Sequence, residues 1–203
     1  MVYELRFLLD FGFMNARLDT SLFIFHRDNL TLLLLVYVDD KILTGTSHGF
    51  IDQFVTTLAN RFSLKDLDAL SYFLEVEAIS TIEDLFLSQH KYIRDLLHKT
   101  NVVGAKEVIT PLSSNKSFKL DDGSPSTNPT FYRQNISALQ YLSLTRSNIS
   151  FVVNRLSQFM HRLTLSHCTT MKRVLRYLKH TLFHGLFVRC HSSSIVHAFS
   201  DLD

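Results

Sequence analysis

The sequence predicts an α+β fold in which antiparallel strands and helices precede a basic, helical second half. Short apolar runs separated by turn residues in the first third are typical of antiparallel strands. Apolar residues recur at helical spacing in several other segments, and a polar stretch from Pro111 to Pro129 divides the chain. With 203 residues, 46% of them apolar, the chain can bury a substantial core.

The first third predicts a short helix followed by two strands. Leu5, Leu8 and Leu9 fit one face of the helix, and Gly12 fits its C-cap. Residues 21–25 are typical of a strand, with a turn at residues 27–29. The next strand ends in Tyr37 and Val38, so the segment predicts a small antiparallel arrangement.

Two adjacent carboxylates, Asp39 and Asp40, interrupt the longest apolar stretch of the chain. The apolar runs at residues 32–38 and 42–45 predict a hairpin whose strands are buried on both faces, with Asp-Asp at its turn. Carboxylates side by side repel each other, and burial raises the cost, so a cation would be needed to neutralise them. Mg²⁺ suits such oxygen ligands, and two ions about 3.5–4 Å apart serve phosphoryl transfer. The alternative is a solvated hairpin tip without a metal, because Asp is common in turns.

The middle of the chain predicts further helices and strands. Ser47 or Thr46 can cap a helix. Residues 72–78 and 85–87 are each typical of a strand, and these two can pair as a hairpin. Two helices have the apolar positions Ile51, Phe54, Val55 and Leu58 in the first, and Tyr92, Ile93, Leu96 and Leu97 in the second.

The second half predicts three helices and two strands. The helical patterns lie within residues 131–144, 149–160 and 171–179, and the strand-like runs are residues 185–188 and 195–199. Cys168 and Cys190 lack a metal-like spacing, so reduced thiols are expected.

The net charge of +2 conceals an uneven distribution. Residues 1–122 contain 12 Lys/Arg and 17 Asp/Glu, whereas residues 123–200 contain nine Lys/Arg and no acidic residue. This asymmetry favours contact with a nucleic-acid backbone over a solvated basic surface. One face of the third helix concentrates the charge in Lys172, Arg173, Arg176 and Lys179.

The string Tyr37-Val38-Asp39-Asp40 between two apolar strands resembles the Tyr-x-Asp-Asp motif of reverse transcriptases, and its flanks resemble the copia-type branch of LTR retrotransposons. Further strings of that family follow in the family's order along nearly the whole chain. They include Phe62-Ser63-Leu64-Lys65-Asp66-Leu67, Leu87-Ser88-Gln89-His90-Lys91-Tyr92, Leu156-Ser157-Gln158-Phe159-Met160 and Lys172-Arg173-Val174-Leu175-Arg176-Tyr177-Leu178-Lys179.

The resemblance implies a partial polymerase palm over residues 1–110, a linker over 111–130, a basic helical thumb and connection over 131–183, and the start of a ribonuclease H-like domain over 184–203. The implied reaction is RNA-directed DNA polymerisation on an RNA or DNA template-primer with Mg²⁺. The implied roles are metal binding and catalysis for Asp39 and Asp40, contact with the nucleotide and primer terminus for Tyr37 and Val38, primer positioning for Phe73, Leu74 and Glu75, and metal binding in the ribonuclease H fold for Asp201.

The chain also departs from the family pattern. Only 38 residues precede Asp39, so the strand with the third carboxylate and the fingers are expected to be missing. The family has proline where Ser147 and Leu163 stand. It has glycine at five positions where this chain has Asp68, Glu75, Asp84, Ser137 and His180. Replacing turn glycines with positive φ costs on the order of 1 kcal/mol each, and Glu75 would repel a primer phosphate.

These observations predict a truncated reverse transcriptase that is inactive alone, and that belongs with the rest of the retroelement polyprotein if expressed. Two alternatives remain: a non-catalytic nucleic-acid-binding remnant, or a non-functional fragment. No apolar run reaches the about 18–20 residues of a membrane span, and no secretory signal is evident. An intracellular protein, cytoplasmic or nuclear and without membrane contact, is therefore expected.

Overall fold

The computed structural model describes residues 2–82, 84–113, 118 and 128–189, and the chain divides into two units between Leu70 and Ser71. The fold is α+β, as predicted, with two antiparallel four-stranded sheets and six α-helices among the described residues. The division lies before the predicted linker at residues 111–130. The assignment of the predicted segments to palm, thumb and connection, and ribonuclease H stays a prediction.

The first unit consists of one sheet and two helices. Its elements are α1 (Val2–Phe11), β1 (Met14–Asn15), β2 (Leu22–Arg27), β3 (Leu30–Tyr37), β4 (Asp40–Gly45) and α2 (His48–Phe62). The strands pair in the order β1-β2-β3-β4, and every pairing is antiparallel. These bounds confirm the predicted helix, strands and hairpin of the first third.

The core of the first unit lies on one face of its sheet, where side chains from both helices and from β2 and β3 meet. Alternate residues of each strand point to this face. The buried residues of the core are Leu8, Phe13, Phe23, Phe25, Leu32, Leu34, Phe54 and Leu58. Leu33 on the opposite face of β3 is 36% exposed. The prediction that β3 is buried on both faces is therefore wrong, because the two helices cover only one face of the sheet.

The second unit begins with a hairpin where one strand was predicted. Residues 72–78 form β5 (Tyr72–Phe73) and the start of β6 (Val76–Ser80), with Phe73 paired to Val76 across a two-residue turn. The strands β7 (Asp84–Ser88) and β8 (Leu186–Arg189) complete the sheet in the order β5-β6-β7-β8. The predicted strands at 85–87 and 185–188 are thus confirmed, and β8 closes the sheet of the second unit.

Four helices form most of the core of the second unit. They are α3 (His90–Lys99), α4 (Pro129–Leu142), α5 (Ser150–Ser157) and α6 (Leu165–His180), with a short 3₁₀ turn before α5. Asn128 caps α4 by accepting a hydrogen bond of 3.1 Å from the Phe131 N–H. The helix predicted within 149–160 is shorter than its apolar pattern, because α5 ends at Ser157. The most deeply buried side chains of this core include Ile93, Tyr132, Ile136, Leu139, Leu142, Ile149, Val153, Leu156, Met171, Val174, Leu175 and Leu178.

Only some of the positions where the family has glycine need glycine-like backbone. Asp68 and Glu75 have φ of 60° and 61°, a region that costs a residue with a side chain about 1–2 kcal/mol. Ser137 lies inside α4, His180 ends α6 and Asp84 begins β7, and none of these three has a positive φ. The predicted strain therefore applies to two of the five substitutions and is wrong for the other three.

Several predictions fall on residues that the structure does not describe. The strand predicted at residues 195–199, the metal-binding role of Asp201 and the thiol of Cys190 all lie outside the described residues. Within the part of the chain that is described, none of the helices is both long enough and apolar enough to cross a membrane.

Candidate catalytic hairpin and basic helix

The carboxylate pair lies at the tip of the β3–β4 hairpin. Tyr37 pairs with Asp40, so Val38 and Asp39 form a two-residue turn. Val38 has a φ of 52°, which is unfavourable for a β-branched residue. Asp39 and Asp40 are exposed, and the side chains of Tyr37 and Val38 are also more than half exposed. The predicted burial of the pair is wrong, since both carboxylates project beyond the core.

An ion pair joins this hairpin to the first helix. Lys41 Nζ lies 3.4 Å from Glu4 Oε1, and both side chains are largely buried. Lys41 follows Asp40 directly and pairs with Val36 across the hairpin. The ion pair therefore attaches α1 to the strand that carries Asp40, a contact that the sequence pattern did not indicate.

The donor chemistry of the pair fits a hard divalent ion. Two carboxylates supply oxygen ligands of the kind that Mg²⁺ prefers, and their exposure leaves room for water and phosphate. Among the described residues, no group of three or more His, Cys, Asp or Glu side chains is placed to hold a metal ion. Asp39 and Asp40 therefore suit one weakly held ion and do not make up the ligand set of a two-metal site.

The segment predicted to position a primer forms the β5–β6 turn. Both turn residues, Leu74 and Glu75, have positive φ, at 47° and 61°. A turn with two such residues favours sequences such as Asn-Gly, which Leu-Glu does not resemble. The Tyr141 hydroxyl donates a hydrogen bond to the Leu74 carbonyl, so α4 fixes the turn. Phe73 is half-buried next to it.

Glu75 also lies at the edge of a cavity within the second unit. The Tyr72 hydroxyl donates a hydrogen bond of 2.6 Å to Glu75 Oε2. This bond is the largest cause that raises the pKa of Tyr72 to about 12. The cavity has a volume of about 380 Å³, and its lining from α3 and α4 includes Tyr92, Asp95 and Phe131. Glu75 thus gives this part of the unit a negative side chain.

The basic face of α6 is largely occupied by contacts within the second unit. Arg173 donates hydrogen bonds to the carbonyl and hydroxyl oxygens of Thr110, at 3.2 and 2.8 Å. Arg176 Nε donates to the Lys106 carbonyl at 2.5 Å, and Lys179 Nζ donates to the Ala105 carbonyl at 3.0 Å. Lys172 is exposed. Three of the four side chains predicted to contact phosphate therefore bind the segment after α3 instead.

The same half of the chain contains a buried cation that the sequence did not predict. Arg146 is only 2% exposed, and its guanidinium donates to the carbonyl and hydroxyl oxygens of Thr181. Burial lowers the pKa of Arg146. The sequence around Arg146 carries no signal of burial, because an arginine in a single sequence usually indicates a surface position.

Known proteins resemble this chain over nearly its whole length. The sequence model of the family described as "Reverse transcriptase (RNA-dependent DNA polymerase)" matches residues 4–114. The chain is 45% identical over 201 residues to the retrovirus-related Pol polyprotein from transposon RE1 of Arabidopsis thaliana, covering 98% of this chain and 14% of that protein. It is 43% identical, again over 201 residues and 14% of the relative, to the Pol polyprotein from transposon RE2 of the same plant.

Shorter relatives match as well. An uncharacterized mitochondrial protein of Arabidopsis thaliana is 41% identical over 177 residues, which cover 85% of this chain and 71% of that protein. The chain thus spans a small part of the Pol polyproteins but most of this mitochondrial relative. No solved structure matches.

Proposed function

Because the chain belongs to the reverse transcriptase (RNA-dependent DNA polymerase) family, in its copia-type retrotransposon branch, we propose that the β3–β4 hairpin is the metal-binding element of RNA-directed DNA polymerisation. The observation that carries this proposal is the exposed pair Asp39 and Asp40 at a two-residue turn. Exposure gives both carboxylates access to an ion and to the phosphates of a substrate. The sequence position of the pair within the stretch that matches the family supports the same assignment.

In this proposal the four residues at the tip of the hairpin have two tasks. Asp39 and Asp40 would hold Mg²⁺, and the bound ion would supply positive charge at the phosphates of the substrate. Tyr37, exposed beside them, offers its ring to the nucleotide and primer terminus. Val38, exposed in the turn itself, offers its side chain to the same terminus.

We further propose that the chain alone does not carry out template-directed polymerisation. A pair of exposed carboxylates binds Mg²⁺ weakly, and the described residues bring no third metal ligand to them. A Pol polyprotein is much longer than this chain, so other parts of such a polyprotein could supply the remaining groups. The residues of this chain would then act as one element of a larger polymerase.

A primer-extension assay tests both statements. The purified chain is mixed with a labelled primer on an RNA template, deoxynucleotides and Mg²⁺, and no template-dependent extension is expected. Mn²⁺ binding is measured in parallel by electron paramagnetic resonance. It is expected to be weak and lost in Asp39→Asn/Asp40→Asn.

The matched control is Asp28→Asn, which changes an aspartate at the other two-residue turn of β3. This control is expected to leave Mn²⁺ binding unchanged. Template-dependent extension by the chain would overturn the proposed inactivity. Mn²⁺ binding that survives in Asp39→Asn/Asp40→Asn would overturn the proposed site.

A second candidate function is binding of nucleic acid without catalysis, and the charge distribution favours it. Residues 123–200 carry nine Lys/Arg and no acidic side chain, and Lys172 on α6 is exposed. Phosphate contacts release counterions, so affinity should fall steeply as salt rises. Binding curves at several salt concentrations test this function, and a flat dependence would contradict it.

A further inference from the structure

The connection between α6 and β8 displays an aromatic ring at the surface of the second unit. Phe183 is 79% exposed. Its ring stacks on the imidazole of His90 at the start of α3, with ring centroids 5.0 Å apart and an angle of 14° between the planes. The imidazole covers one face of Phe183, and the high exposure of the side chain leaves the other face to solvent.

The backbone on both sides of Phe183 is fixed by buried contacts. Thr181 is buried and accepts hydrogen bonds from the guanidinium of Arg146, through its carbonyl at 2.9 Å and through its hydroxyl. The His184 N–H donates to the same Thr181 carbonyl at 3.0 Å. A Cβ on Gly185 would lie 2.4 Å from the Leu87 carbonyl oxygen, so the chain passes close against β7. The ring is thus presented by a fixed turn, which lowers the entropy cost of binding.

The charges around the ring favour an anionic ligand. No acidic residue occurs between 123 and 200, and His184 beside the ring is exposed. Lys91, next to His90, places its Nζ 5.5 Å from the centroid of the Tyr72 ring. Acidic side chains also occur nearby: Glu77 Oε1 accepts from the Lys91 N–H at 3.3 Å, and Glu107 contacts His180 at 3.2 Å. Lys91 directly follows the stacked His90 in sequence, and the segment that carries the ring, residues 181–189, contains no acidic residue, which suits a phosphate backbone.

We propose that the Phe183–His90 stack is a platform for an unpaired base of single-stranded nucleic acid. This inference rests on the proposed nucleic-acid binding and assigns it a place on the second unit. An exposed aromatic face in a half of the chain that carries only basic charges combines the two features by which proteins hold single strands, since every base has a face that can stack. A duplex keeps its bases stacked on one another, so the platform discriminates in favour of single strands.

Fluorescence anisotropy with a labelled oligothymidylate at low salt tests the platform. Phe183→Ala is expected to weaken binding about 5- to 150-fold, the effect of losing one stacked base. Phe183→Trp, which keeps a flat ring, is expected to retain binding. The matched control is Phe151→Ala, since Phe151 is another phenylalanine of the basic half that is 69% exposed; this variant is expected to bind like the unaltered chain. Circular dichroism checks that all variants are folded.

A crosslink gives a second readout. An oligonucleotide with 5-iodouracil is expected to crosslink to the tryptic peptide of residues 180–189, at Phe183, and Phe183→Ala should abolish the adduct. Binding that Phe183→Ala leaves unchanged, or that Phe151→Ala weakens equally, would overturn the platform and leave nucleic-acid binding intact. No binding by the unaltered chain would overturn the nucleic-acid function itself. A loss that is as large for duplex as for single strands would also overturn the platform.

Discussion

The Tyr72 hydroxyl donates a hydrogen bond to Glu75 across the two-residue turn that joins β5 and β6, with the two oxygens 2.6 Å apart. Glu75 has a φ of 61°, so the same residue strains the backbone of the turn and makes its side-chain bond. The resemblance implies glycine at this position, and glycine would relieve the strain and remove the bond. The backbone strain at Glu75 and its hydrogen bond with Tyr72 can therefore be measured separately.

The first prediction concerns the ionisation of Tyr72. The bond to Glu75 is the largest cause that raises the pKa of Tyr72 from 10.0 to about 12, because it favours the protonated phenol. Glu75→Gln is expected to lower the pKa of Tyr72 toward 10, since the amide oxygen carries no charge. The pKa is measured by following tyrosinate absorbance as the pH rises. The Tyr72→Phe variant identifies which of the absorbance changes belongs to Tyr72.

The sign of the pH dependence follows from the direction of this shift. The pKa of Tyr72 is higher in the folded than in the unfolded chain, so the stability it contributes is fully present below pH 10. That contribution is lost as the pH rises through about 12. An unchanged titration in Glu75→Gln would show that the bond does not form in solution.

The second prediction separates the positive-φ sites from the helical ones. Glu75→Gly is expected to raise the free energy of unfolding by about 0.5–1 kcal/mol, because glycine relieves the backbone strain. Ser137→Gly is expected to lower it by about 0.5 kcal/mol, because Ser137 lies inside α4 where glycine is unfavourable. Both residues belong to the second unit, so urea unfolding of the two variants gives a direct comparison. If both variants changed the free energy of unfolding in the same direction, the distinction between the positive-φ site and the helical site would be contradicted.

Periodicity predicted most elements correctly because it reports which face of an element is apolar. The faces with Phe54 and Leu58 in α2, and with Ile93 and Leu96 in α3, are buried as expected. The β5–β6 turn was missed since neither Leu74 nor Glu75 is a turn residue. Only the family pattern, with glycine at the position of Glu75, carried a signal for that turn.

The candidate site was predicted in position but not in environment. Asp39 and Asp40 lie at a hairpin tip as the sequence indicates, but their exposure depends on which face of the sheet the helices cover. A run of apolar residues cannot show this, because Leu33 and Leu34 look alike in sequence and differ in burial. The contacts of Arg173 and Arg176 with residues 106–110 were likewise invisible, since they join segments more than 60 residues apart.

The third prediction concerns the strained residue of the carboxylate hairpin. Val38 has a φ of 52°, and asparagine tolerates this region better than a β-branched residue. Val38→Asn is expected to stabilise the first unit by about 1 kcal/mol, whereas Val38→Ile should leave its stability unchanged. Thermal melts compare the variants. A lower melting temperature for Val38→Asn would show that the contacts of the valine side chain outweigh its backbone strain.

The last prediction tests what the basic face of α6 does. Arg176→Ala removes the hydrogen bond to the Lys106 carbonyl and is expected to destabilise the second unit by about 0.5–1.5 kcal/mol. It should also speed amide hydrogen exchange in residues 105–110. Lys172→Ala is the matched control, because Lys172 is an exposed cation on the same helix. It should leave stability and exchange unchanged.

We expect the two substitutions to affect nucleic-acid binding in the opposite order, with the larger effect for Lys172→Ala. Lys172→Ala is expected to reduce the slope of log affinity against log salt by about 1, as for one lost phosphate contact. Arg176→Ala should change that slope less, since its guanidinium is already hydrogen-bonded within the unit. If the two variants reduce the slope equally and neither alters exchange at residues 105–110, the four cations act together on phosphate. The main role of the basic face of α6 would then be to bind phosphate, and its hydrogen bonds to residues 105–110 would contribute little to stability.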